Sequence, residues 1–111
     1  MIFVESDNGY KKTDLRDGDA VVFFTDVKRV VFWRGNKSLF WSPLSELPEL
    51  LCPVMDIKLF YDLDGGSEEF KEKAILFAVK HGFKLEKKEM SFGRNILGKD
   101  IPCIIFEFIL V

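Results

Sequence analysis

Glutamine is absent from the 111 residues, and histidine occurs once, as His81. Without a second histidine, a cysteine beside it or a Gly-x-Ser-x-Gly turn, no nucleophile–base pair stands out, and the chain reads as non-enzymatic. Cysteine occurs twice. Cys52 and Cys103 lie far apart with no CxxC spacing, which argues against a zinc site or a dithiol motif and leaves two buried free thiols as the expectation. A basic surplus is missing too. Sixteen Lys and Arg stand against 18 Asp and Glu, for a net charge of −2, so the electrostatic footprint of a nucleic-acid binder is not there. No apolar run approaches the length of a membrane span. The opening "MIFVESDNGY" lacks the apolar core and cleavage pattern of a signal peptide, so the expectation is an intracellular, cytoplasmic chain. The missing glutamine, few asparagines and abundant Lys and Glu tilt the composition toward that of thermophile proteins.

What is present is globular. Hydrophobic residues make up 48% and charged residues 31%, enough for one core in a single domain spanning 1–111. Ile2–Glu5 predicts a first strand, and the polar, turn-rich "SDNGYKKTDLRDGD" follows it. "AVVFFTD" and "RVVFWRG" are rich in β-branched and aromatic residues and flank a tight connection at Val27–Lys28, which is a hairpin signal. Neither arm alternates. Val21–Phe24 and Val30–Trp33 are apolar throughout, as in strands at the middle of a sheet covered on both faces. "SLFWSPLSELPELLCP" carries three prolines, so any helix in it is short. "MDIKLFYDL" predicts another strand, and Phe83–Met90 and Cys103–Val111 predict two more.

The clearest helix is Ser67–His81. Ser67 is an N-cap candidate, Glu68 and Glu69 suit the positive helix end, and Gly82 suits the stop. At 100° per residue Phe70, Ala74, Phe77, Ala78 and His81 share one apolar face. Ile75, Leu76 and Val79 form a second apolar stripe on the far side, which means either deeper burial or a binding surface. His81 reads as a cap or packing residue. "DLDGGSEEF" fails as an EF-hand: with Asp62 and Asp64 at the first and third positions, Ser67 falls where glycine is needed and Lys73 where a bidentate glutamate is needed. It reads as a strand-to-helix turn. One sheet with the long helix on one face, and the proline-rich segment covering part of the other, accounts for this order of elements.

"LRDGDAVVFFTDVKRVVFWRGNKS" resembles the central hairpin of gelsolin/villin-type domains. The matching positions are Leu15, Gly18, Asp19, Val21–Phe24, Val30–Phe32, Trp33 and Gly35, and "SEEFKEKA" is similar to the start of that family's long helix. The resemblance implies an α+β fold, a mixed or antiparallel sheet between one long and one short helix. It implies a module that binds actin, or another protein partner, through the exposed side of the long helix, here Ile75, Leu76 and Val79. It also implies a calcium (Ca2+) site built from the Gly18 carbonyl, the Asp19 carboxylate and Glu69. The alternative is a profilin- or longin-like adaptor that assembles with another subunit and uses no metal. A third is a small-molecule or catalytic domain whose site the sequence does not display.

Overall fold

The computed structural model describes residues 2–6, 9–13, 16–35, 37–41, 56–94 and 98–111. Eight strands and one helix are present among them: β1 (Ile2–Ser6), β2 (Gly9–Thr13), β3 (Ala20–Phe24), β4 (Arg29–Arg34), β5 (Lys37–Trp41), β6 (Asp56–Asp62), α1 (Glu68–Lys80), β7 (Phe83–Arg94) and β8 (Asp100–Leu110). They form one sheet in the order β2-β1-β5-β4-β3-β6-β8-β7. Only β3 and β6 run parallel; the other described pairings are antiparallel, which makes the sheet mixed and the class α+β.

The β3–β4 hairpin occupies the middle of this order, as its unbroken apolar arms predict. Val21 and Phe23 of β3 enter one core with Val30, Phe32, Ile57, Leu59, Phe106 and Phe108. Val22 and Phe24 point the other way and pack with Val31, Val27 and Phe60. On that second face Phe24 and Phe60 stack at 5.2 Å with their planes 11° apart. A strand buried on both faces cannot alternate, and β3 does not.

Helix α1 lies over the first face. Ser67 caps it, accepting a hydrogen bond from the Phe70 N–H at 3.2 Å, and His81 ends it. Phe70, Ala74 and Ala78 are buried beneath it. Phe70 and Phe77 meet Phe23 edge-on, at 6.0 and 5.8 Å. His81 tilts against Phe77 at 4.5 Å, the packing and capping role expected of it.

Two strands depart from the sequence reading. Gly9–Thr13 forms β2 although its residues are polar and turn-prone, because an edge strand needs a partner's backbone more than an apolar face. Lys37–Trp41 forms β5, not part of a short helix, because the turn at Gly35 folds it straight back onto β4. The remaining proline-rich residues, Cys52 and the short element expected on the second face lie outside the described residues. Strands β5 and β6 both intervene between the Trp33-x-Gly35 strand and α1.

Candidate functional site

Gly18 and Asp19 are set by a local turn. Gly18 takes φ +93°, a conformation that costs a side-chain-bearing residue energy. The turn lets the Asp19 N–H donate to the Arg16 carbonyl at 3.1 Å. The Asp19 carboxylate accepts back from the Arg16 N–H at 2.7 Å. Across the hairpin, Arg34 donates to both carboxylate oxygens at 2.9 Å. Asp19 is 1% exposed and wholly committed to this fork. The hairpin register explains the pairing: Ala20 faces Trp33, so the next residues outward, Asp19 and Arg34, face each other. Arg34 is the middle residue of Trp33-x-Gly35, and Gly35 at φ +57° turns the chain immediately after it.

Glu69 is elsewhere. The helix begins at the opposite end of β3, where the Ser67 N–H donates to the Thr25 carbonyl at 3.2 Å. The five residues of β3 lie between Asp19 and Thr25, a span of roughly 20 Å. Glu69 pairs with Lys73 at 3.1 Å, and that hydrogen bond holds its carboxyl below the usual range. The structure therefore does not bring Gly18 and Asp19 together with Glu69, and the implied calcium ligand set is not assembled. Among the described residues no group of three or more His, Cys, Asp or Glu is arranged to hold an ion.

The helix start is built around Thr25, which is fully buried. Its hydroxyl donates to the Phe60 carbonyl at 3.0 Å and accepts from the Asp62 N–H at 3.0 Å. Asp62 turns the chain by accepting from the Asp64 N–H at 2.8 Å and the Gly65 N–H at 3.3 Å, the strand-to-helix turn expected of "DLDGGSEEF". Beside it, the Tyr61 hydroxyl donates to Glu68 at 2.5 Å, and Lys71 pairs with Glu68 at 2.9 Å. Hydrogen bonding to Tyr61 first, and to Lys71 second, lowers the Glu68 carboxyl; the same bond raises the Tyr61 phenol. Cys103 is a buried free thiol, raised above its ordinary range by desolvation.

The far side of α1 carries the second apolar stripe. Leu76 is 66% exposed and Val79 59% exposed, while Ile75 is half-buried against the core. The sequence alone leaves deeper burial and exposure both open for this stripe. The structure divides it, with Ile75 turned inward and the other two outward. A second exposed apolar pair, Met90 and Phe92, lies on β7. The local pattern ends that strand at Met90 and so puts Phe92 in a loop, whereas β7 runs on to Arg94.

No protein-family model, curated protein or solved structure matches this chain. Among the described residues no helix is long and apolar enough to cross a membrane.

Proposed function

We propose that this chain is a non-enzymatic protein-binding module that docks a partner, an actin-type filament subunit or another protein, on the outer face of α1. The observation that carries the reading is the exposure of Leu76 and Val79 on a helix whose opposite face is filled by Phe70, Ala74 and Ala78. Two aliphatic side chains one turn apart are the anchors of a helix-in-groove interface. Each contributes roughly 1.5–3 kcal/mol on full burial, before the costs of association. Co-sedimentation with actin filaments tests it: the wild-type chain pellets with filaments, and Leu76→Asp stays in the supernatant with an unchanged melting temperature. A wild-type chain that stays in the supernatant sinks the actin reading.

A second reading is an adaptor domain of profilin- or longin-like shape that uses no metal. It is favoured by the separation of Asp19 from Glu69 and by the engagement of Asp19 with Arg34.

A further inference from the structure

Strand β7 closes one end of the sheet order, and among the described residues its outer edge has no partner. An open edge is a template for another strand, and folded proteins blunt such edges with lysines, other charges and bulges. The first part of β7 is blunted in this way. Lys84, Glu86, Lys87, Lys88 and Glu89 crowd it, and the pairing with β8 slips between Leu85 and Lys87. The stretch after it is not. Met90, Ser91, Phe92 and Gly93 carry no charge and keep an unbroken register with β8, from Met90 opposite Ile104 to Gly93 opposite Ile101. Met90 is 75% exposed and Phe92 80% exposed. They lie two residues apart, hence on the same face. The edge is therefore guarded over most of its length and open over Met90–Gly93, the stretch that also presents two large apolar side chains.

We infer that this open stretch pairs antiparallel with the same segment of a second copy of the chain, about a two-fold axis at Met90. Antiparallel pairing sets directly opposed residues on a common face, so the self-pairing registers that keep β7's faces matched are centred on a residue, not between two. Charge and ladder length select among them. Centring on Glu89 opposes two glutamates, centring on Lys88 opposes two lysines, and centring on Ser91 sets Lys88 against Arg94. Centring on Phe92 opposes no like charges, but β7 ends at Arg94 and only Met90–Arg94 would pair. Centring on Met90 also opposes no like charges and engages the longer regular stretch after the bulge: Met90 meets Met90, Lys88 meets Phe92, Glu89 meets Ser91, and Lys87 meets Gly93. Lys88, whose ammonium lies 5.5 Å from the Phe106 ring centroid of its own chain, then stands opposite the second copy's Phe92, a cation beside an aromatic ring, and the symmetry makes that pairing twice. A ladder this short covers far less than the roughly 800 Å² per partner of a stable complex, so the dimer is weak and concentration-dependent. This surface is separate from the α1 face and stands or falls independently of it.

Sedimentation equilibrium on the full chain reads it directly: the average mass rises from one chain toward two between about 10 μM and 1 mM. Phe92→Lys, at a position too exposed to affect folding, weakens the association at least about tenfold. The register is read by mild oxidation. Met90→Cys cross-links into a covalent dimer, because opposed strand residues stand within disulfide reach, whereas Lys84→Cys behaves like wild type. A chain that stays monomeric throughout this range overturns the inference. So does association indifferent to Phe92→Lys, growth into species larger than dimers, or cross-linking of Lys84→Cys as fast as Met90→Cys.

Discussion

At the scale of single residues, the Gly18-Asp19 and Trp33-x-Gly35 elements form an electrostatic clasp on the central hairpin. Asp19 sits where an unpaired carboxylate is costly, and Arg34, only partly buried, supplies the opposite charge and two donors beside the Arg16 N–H. Arg34→Leu strands the aspartate and lowers stability by about 3 kcal/mol in urea unfolding. Adding Asp19→Ala to that variant recovers part of the loss, because the stranded charge is gone. Equal or greater loss in the double variant would mean the two residues act separately. Gly66 is a second fixed point. A Cβ there would stand 2.5 Å from the Asp62 carbonyl oxygen and 2.7 Å from the Thr25 hydroxyl. Backbone cannot yield as a flexible side chain can, so Gly66→Ala costs roughly 1–3 kcal/mol and loosens the start of α1. A wild-type unfolding curve for Gly66→Ala would show that the turn has room to spare.

At the scale of elements, α1 was the most legible part of the chain, since its cap, its acidic first turn and its inward stripe are all local signals. The ranking within that stripe was not. Phe70 and Phe77 are equivalent in sequence, yet Phe70 is fully buried while Phe77 lies at the flank of the core. Phe70→Ala therefore costs about 3–5 kcal/mol and Phe77→Ala measurably less, as read by chemical denaturation. Equal losses would place the helix axis differently over Phe23. The hairpin was legible because two-sided burial leaves an unbroken apolar run. The clasp was legible in principle, since a four-residue turn fixes Asp19 opposite Arg34, but reading it needs the turn length. Strands β2 and β5 were hidden for opposite reasons: β2 has Tyr10 as its one residue of apolar body among glycine, lysines and threonine, and β5 adjoins prolines that suggested an interrupted helix. The open stretch of β7 is a property of sheet order, which no local pattern encodes.

At the scale of the whole molecule, the sheet separates the two groups of residues implied to share a calcium ion. Gly18 and Asp19 stand at the entry to β3, and Glu69 at the helix start beyond its exit, with the fully buried core between them. A hard cation needs several oxygens converging within about 2.6 Å, so closing that gap would require dismantling the central hairpin. Asp19 would also have to release Arg34, leaving a guanidinium without its carboxylate. Ligand linkage makes the consequence measurable, because anything that binds the folded state and not the unfolded chain raises the melting temperature by mass action. For this fold the melting curves in chelator and in millimolar calcium superimpose. Asp19→Ala lowers the midpoint equally in both, because its effect runs through Arg34 and not through an ion. A calcium-dependent rise in the wild-type midpoint that Asp19→Ala removes would reverse this assignment and return Asp19 to a metal site.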